Sequence, residues 1–377
     1  MKTRLWIMAL CIAPVGTVHA AAGTPALPKL EAKSYLLMDF HTGQVLAENQ
    51  ADARLEPASL TKIMTTYVVG RALEEGRVHL DDPVTISEKA WRMTGSRMFI
   101  EVGKQVPLRD LLLGVIVQSG NDASVALAEH IAGSEPAFAD RMNRHAQRLG
   151  LSNSRFLDTS GLAEAGHYSS ARDLATLSAA VIRDLPDIYP WFRIRELTYN
   201  GIKQGNRNRL LARDPTVDGL KTGHTEGAGY CLVASAQRRD MRLIAVVLGA
   251  PSDKQRFEGV QALLNYGFGA FETHRLFTAR QALARVRVWK GAEKTAQLGL
   301  SEDLYITVPR QRYQDLKASA DLDKDLTAPV SKGRRGGTLK VMLGKEELLK
   351  RPLVLLDAVA AGGLLQRLAD EARLLIR

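Results

Sequence analysis

Ser59 and Lys62 are the side chains whose types and spacing most directly suggest a reaction. They lie in Glu56-Pro57-Ala58-Ser59-Leu60-Thr61-Lys62-Ile63-Met64-Thr65-Thr66. Pro57 suits a first helical turn, and Leu60, Ile63, Met64, Tyr67 and Val68 suit a buried helix. Residues three apart share a helix face, so the hydroxyl and the amine are expected to meet. A serine hydroxyl needs a neighbouring base to attack at neutral pH, and a lysine serves only where burial or nearby positive charge populates its neutral amine. A helix N-terminus and a second lysine would both act in that direction. Ser-x-x-Lys alone is weak, since about one match arises by chance in a chain of this length. By itself it also describes a solvated lysine one turn after a serine.

Two later stretches add chemistry. Gln118-Ser119-Gly120-Asn121-Asp122 interrupts an apolar helical run, Leu108 to Val117, and a second helix resumes through Ala123 to Ile131. Such a break projects Ser119 and Asn121 into a cleft, while Asn121 or Asp122 is expected to cap the next helix. Leu220-Lys221-Thr222-Gly223-His224-Thr225 then precedes the apolar runs Tyr230 to Ala236 and Met241 to Leu248, which read as three neighbouring antiparallel strands. A helix around Arg256 to Tyr266 is expected to follow.

The elements that must position these groups come from both ends of one domain. Ser34 to Asp39 and Gln44 to Asn49 read as a hairpin, with His41 in its turn, and the Ser59 helix follows, ending near Gly76. Ser170 and Asp173 stand at capping-box spacing before another helix, although Asp replaces the usual Glu or Gln. Beyond about Ala279 the pattern changes to short strand-like runs (Ala284 to Trp289, Leu304 to Val308, Thr338 to Leu343), which predicts a small all-β second domain without clustered chemistry. The last stretch places Leu364, Leu365, Leu368, Ala372, Leu375 and Ile376 on one helical face. It is too short to span a bilayer but suited to lying in the interface. Packing against its own domain is the other reading.

Composition bounds the classes. With 377 residues, 45% hydrophobic and 24% charged, the chain is that of a folded protein with two domains. Lys2 and Arg4, an apolar run from Leu5 to Val18, and Val18-His19-Ala20 before Ala21-Ala22 predict a secretory leader over residues 1–22 and hence export. Cys11 lies in that leader and Cys231 in an apolar run, so no internal disulfide is expected in the mature chain. The formal charge is +10, or +8 without Lys2 and Arg4, which favours anionic surfaces such as phospholipid or cell-wall polymer over nucleic acid in an exported protein. No nucleic-acid-binding motif supports the latter, and the eight histidines show no metal-ligand spacing such as His-Glu-x-x-His. No metal or cofactor is expected.

Ser59-x-x-Lys62, Ser119-x-Asn121 and Lys221-Thr222-Gly223, once each and in that order, form the signature of penicillin-binding proteins and class A β-lactamases. Together with Tyr168-Ser169-Ser170-Ala171-Arg172-Asp173 and Asp218-Gly219-Leu220-Lys221-Thr222-Gly223-His224-Thr225, the chain resembles the low-molecular-mass serine D-alanyl-D-alanine carboxypeptidases from about Lys33 to its end. The resemblance implies an α/β (α+β) transpeptidase/β-lactamase-like domain over 29–278, its antiparallel sheet flanked by helices, a β-rich domain over 279–358 and a terminal anchor helix over 359–377. It implies that Ser59 attacks the carbonyl between the two terminal D-alanines of a peptidoglycan stem pentapeptide, with Lys62 as base, and that Ser119 and Lys221 handle protons and charge. It further implies that Asn121 orients the substrate amide, and that the backbone N–H groups of Ser59 and His224 form an oxyanion hole. Thr222, on the strand with Gly223, and Arg207 would take the terminal carboxylate. β-Lactams would acylate Ser59, and the enzyme would sit on the periplasmic face of the inner membrane through its last helix. The alternatives are an endopeptidase on D-Ala cross-links, a β-lactamase, for which Glu164 is the nearest candidate deacylating acid, and a wall-binding protein without turnover.

Overall fold

The computed structural model describes residues 26–162, 164–323 and 326–375, together with the backbone of Arg4–Ile7. The rest of the expected leader and Ile376 lie outside the described residues. The chain forms two compact units, Pro25–Gly269 and Ala270–Arg377, the strand Arg4–Ile7 belonging with the latter.

In the first unit, β1 (Ser34–Asp39) and β2 (Val45–Asn49) form the expected hairpin, α1 (Thr61–Glu74) carries Lys62, and α2 (Asn121–Ala132) follows the Ser119 break. Next come α3 (Glu135–Arg148), α4 (Ala171–Asp184), the strands β3 (Val217–Thr225), β4 (Gly229–Arg238) and β5 (Met241–Ala250), and α5 (Asp253–Ala270). The five strands make one antiparallel sheet in the order β2-β1-β5-β4-β3. The N-terminal hairpin therefore completes a sheet whose other three strands come some 180 residues later, and β3, with Lys221, is left at the edge.

Two of the three inner strands, β1 and β5, are apolar on both faces: Leu36, Leu37, Val246 and Val247 are at most 1% exposed. Helices must cover both sides of such strands. α1 is likewise buried nearly all round, from Thr61 through Gly70, which is the pattern of a central helix rather than a surface one. The core that surrounds it fixes the axis on which Lys62 sits. Before Asn121 the helix Leu108–Leu113 continues into one wide turn, Gly114–Gln118, that ends at Ser119 in the left-handed region (φ 66°). Apolar periodicity marks the run but not the wide turn that terminates it.

In the second unit β6 (Phe271–Phe277) pairs with β9 (Leu304–Pro309). Its larger sheet contains β7 (Ala284–Trp289), β8 (Thr295–Gly299), β10 (Leu316–Leu322), β11 (Leu326–Thr327), β12 (Arg335–Leu343) and β13 (Glu346–Leu355). The order is β10-β12-β13-β8-β7-β11, with Arg4–Ile7 pairing outside β10. Alternate residues such as Val286, Val288, Leu339, Val341, Leu353 and Leu355 point into its own core. The last helix, α6 (Leu364–Leu375), docks on this unit by its polar side. Asp370, 4% exposed, accepts from Lys290 N at 2.8 Å and faces Arg287 at 3.6 Å, and Gln366 Nε2 donates to Gly291 O at 2.6 Å. Glu371 pairs with Lys290. Its apolar side is left outward: Leu364, Leu365, Leu368 and Leu375 are 64–85% exposed.

Candidate active site

Ser59 sits in a tight turn, Ala58–Leu60, that leads directly into α1. Ala58 takes a left-handed φ of 47°, which turns the chain sharply before the serine. One turn on, Lys62 is 1% exposed, and its Nζ lies 3.1 Å from Ser59 Oγ, 2.7 Å from Asn121 Oδ1 and 2.7 Å from Ser160 O. Burial pushes the Lys62 amine down to about 7, against the opposing pull of Asp158 and Asp122. The sequence-based condition for a lysine base is met by desolvation above all.

Asn121 is the first residue of α2 but does not cap it. Its Nδ2 donates to Thr94 O at 2.7 Å, its backbone N–H donates to Ser96 O at 2.7 Å, and its Oδ1 faces Lys62. Asp122 binds outward instead, accepting from Met98, Phe99 and Ala123 amides at 2.9–3.0 Å, so the segment Thr94–Phe99 is tied to the Ser119 turn. The expected cap thus serves as a bracket between loops. Ser119 is 3% exposed and its Oγ has no hydrogen-bond partner among the described residues. A buried, unpaired hydroxyl costs about 1–3 kcal/mol, so this position is not explained by the stability of the turn.

The strand β3 forms the other wall. A Cβ on Gly223 would stand 2.9 Å from Pro57 O and 3.2 Å from Leu60 N, so this glycine lets the strand approach the nucleophile turn closely. Lys221 is 3% exposed and its Nζ donates only to Thr222 O, at 3.0 Å, among the described residues. Burial holds its amine well below the ordinary lysine value, and the positive charges of Lys62, Arg207 and Arg256 add to the shift. Thr222 is buried beside it, whereas the imidazole of His224 is exposed and stacks on Tyr230 with ring centroids 4.0 Å apart.

Arg207 is exposed on a loop that Asn208 ties to β3, through Nδ2 to Gly219 O at 2.9 Å. A second arginine, singled out by no sequence pattern, bonds β3 directly. Arg256 on α5 is 8% exposed, donates from Nη1 to Gly223 O at 3.1 Å, pairs with Asp253, and has no partner for its Nε among the described residues. It stands 35 positions from Lys221, and only the turn between β5 and α5 brings it back to β3. The C=O and N–H of a trans peptide point opposite ways, so the Arg256 bond to Gly223 O turns the His224 N–H to the other side.

The last wall is the turn Asp158–Gly161. Asp158 Oδ1 accepts from the Ser160 and Gly161 amides at 2.6 Å each, and its Oδ2 lies 3.3 Å from His167 Nδ1. Burial alone would raise the Asp158 carboxyl, but the His167 contact and the two amides outweigh it and hold the pKa near about 2. Glu164 is exposed, and its backbone carbonyl accepts from His167 N. No group of metal-ligating side chains occurs among the described residues.

The family model described as D-alanyl-D-alanine carboxypeptidase matches residues 20–252, and that of the penicillin-binding protein 5 C-terminal domain matches residues 271–361. The chain is 45% identical to D-alanyl-D-alanine carboxypeptidase DacC of Escherichia coli K12, over 94% of this chain and 90% of that protein. It is 43% identical to DacA of the same strain, over 100% and 96%. The crystal structure of penicillin-binding protein 5 from Haemophilus influenzae superposes with a TM-score of 0.85 at 44% identity, covering 89% of this chain and 99% of the other.

Proposed function

The chain belongs to the D-alanyl-D-alanine carboxypeptidase family, and from that premise we propose how its residues divide the release of the terminal D-alanine from a stem pentapeptide. The observation that carries the reading is the set of partners around Lys62 Nζ. Asn121 Oδ1 and Ser160 O are acceptors with no proton to give, so a neutral amine donates its two N–H groups to them and leaves its lone pair for the Ser59 hydroxyl 3.1 Å away. Lys62 is then the base and Ser59 the nucleophile.

Attack on the carbonyl between the two D-alanines forms an ester on Ser59 once the C–N bond breaks. The developing oxyanion is met by the backbone N–H groups of Ser59 and His224, the latter aimed by the Arg256 bond to Gly223 O. The unpartnered Ser119 hydroxyl and Lys221 pass a proton to the departing amine, and water hydrolyses the ester. Lys221 sits among cations, so an arriving carboxylate restores its proton and arms it as the acid. Thr222, Arg207 and the buried Arg256 form the corner for that carboxylate. A β-lactam enters the same path and stops at the acyl-enzyme. Glu164, the acid a β-lactamase reading requires, is exposed rather than set against Ser59, so fast deacylation of the drug is not expected.

The same reading places the protein outside the cytoplasm on an anionic membrane surface. No helix among the described residues is long and apolar enough to cross a membrane. α6 instead docks on its unit by its acids and presents four leucines outward, the reverse of a helix that buries its apolar face on its own domain.

The test is mass spectrometry of the full chain after penicillin treatment, with release of D-Ala from a stem pentapeptide measured in parallel. The adduct is expected on the peptide containing Ser59, and Ser59→Ala is expected to lose both adduct and release. Release by Ser59→Ala at the native rate, or an adduct on another serine, would end the proposal. Cleavage of cross-linked dimers with no release from monomeric pentapeptide would favour the endopeptidase.

A further inference from the structure

Beneath the nucleophile turn lies a second polar chain that the reaction described above does not use. Thr61 Oγ1 is 3.0 Å from His167 Nε2, and His167 Nδ1 is 3.3 Å from Asp158 Oδ2. Hydroxyl, imidazole and carboxylate follow the order of a serine hydrolase relay, but Thr61 is 0% and His167 4% exposed, so no acyl donor reaches that hydroxyl. A buried imidazole–carboxylate pair is also a poor source of stability, since apolar residues of similar volume do as well or better. Its placement points elsewhere. Asp158 Oδ1 gathers the Ser160 and Gly161 amides at 2.6 Å and the Ser160 hydroxyl at 3.1 Å, which closes a turn around the one carbonyl that Lys62 uses, Ser160 O. The turn is pressed on the nucleophile segment: a Cβ on Gly161 would lie 1.8 Å from Ala58 O and 2.6 Å from Thr61 Oγ1. Thr61 and Lys62 are neighbours on α1, so His167 links the helix that carries the amine to the turn that holds it.

We propose that Thr61, His167 and Asp158 form a positioning chain for the general base, locking the Ser160 carbonyl at the height that presents the Lys62 amine to Ser59. It rests on the reading of Lys62 as that base. The hydroxyl of Thr61 either donates to a neutral imidazole nitrogen or accepts from a protonated one, so the link survives proton movement at His167. The charges facing Lys62 are Asp158 and Asp122, with Lys221 opposite on β3. Asp158 therefore acts twice, through the turn and through its charge.

The experiment uses the full chain with Asp158→Asn, Thr61→Val and Thr61→Ser, measuring D-Ala release from a stem pentapeptide and acylation by a fluorescent penicillin from pH 5 to 9. Misplacing a catalytic group by an ångström costs up to about 100-fold in rate. Asp158→Asn is expected to lower kcat about 10- to 100-fold with KM within about twofold. Lys62 must be deprotonated to act, and loss of the Asp158 charge favours that form, so the acid limb of the rate profile moves to lower pH, by roughly one unit. Thr61→Val is expected to lower kcat in the same sense and Thr61→Ser to restore it. Variants with native near-ultraviolet circular dichroism whose kcat and pH profile match the parent would overturn the proposal, as would a rise in KM alone. Should Asp158→Asn and Thr61→Val both fail to fold, the ring nitrogen resonances of His167 in the native enzyme decide: they shift when penicillin acylates Ser59, and unchanged resonances would refute the link. A parent enzyme that releases no D-Ala would instead sink the reading of the site itself.

Discussion

Arg256 shows how a side chain can be built into the wall behind β3 and leave no mark in the sequence. Ser59, Lys62, Ser119, Asn121 and Lys221 are candidates in the sequence because three short motifs, each weak alone, occur once and in one order. Arg256, Asp158, Ser160 and His167 reach the same region only through tertiary packing, 99 to 197 positions from Ser59. Nothing local distinguishes Arg256 from a helix-surface arginine; its burial and its bond to Gly223 O do. If it receives the substrate's terminal carboxylate, its worth is that of a charge-assisted hydrogen bond, about 2 kcal/mol or about 30-fold in kcat/KM. Comparing a peptide ending in D-Ala with its C-terminal amide isolates that term. The native enzyme is expected to prefer the acid, and Arg256→Leu to lose about 10- to 30-fold of the preference while hydrolysing the amide at a similar rate. Equal discrimination by parent and variant would leave Arg207 and Thr222 as the carboxylate's partners.

At the scale of elements, hydrophobic periodicity was informative where one face or a whole element is buried, and uninformative where polar side chains bridge loops. The hairpin β1–β2, the strands β3 to β5 and the helices around Lys62 and after Asn121 follow from patterning, because burial of those faces is what holds them. The capping spacing at Ser170 is half realised. Ser170 Oγ accepts from Asp173 N at 3.2 Å, but the Asp173 carboxylate turns to Asn153 N and Ser154 Oγ instead of returning to the cap. A shorter acid lost the reciprocal bond and found loop partners. The turn Asp158–Gly161 was silent in the sequence, and it depends on one glycine. Gly161 has φ 78°, and an added Cβ would enter the Ala58 carbonyl. Gly161→Ala must displace the turn, at a cost of order 2 kcal/mol or more, and carry Ser160 O away from Lys62. Thermal melting and penicillin acylation should therefore fall together. A Gly161→Ala protein that acylates at the native rate would show that Lys62 does not need that carbonyl.

On the scale of the whole molecule, charge and apolar surface are divided between the units in a way that composition alone conceals. Residues 270–377 carry 20 basic against 13 acidic residues, so +7 of the total +10 belongs to the β unit and its terminal helix. The unit with the site is nearly neutral once the leader charges are set aside. A basic unit that also holds four exposed leucines on α6 has both attractions an anionic lipid surface offers. Neither is used by the proposed reaction, so any lipid binding through this face and catalysis should be separable by mutation. Burying a leucine is worth about 1.5–3 kcal/mol, and replacing Leu365 and Leu368 by glutamate removes two of four such contacts and adds charge repulsion. The double variant is expected to lose at least about 100-fold in affinity for phosphatidylglycerol vesicles in flotation. Its D-Ala release from a soluble pentapeptide should stay unchanged. Basic residues alone give binding that high salt removes, whereas inserted leucines give binding that persists, so the parent should float with vesicles even at 1 M salt. If salt strips the parent as completely as the two glutamates do, the outward face of α6 does not insert into lipid and the proposed anchor fails.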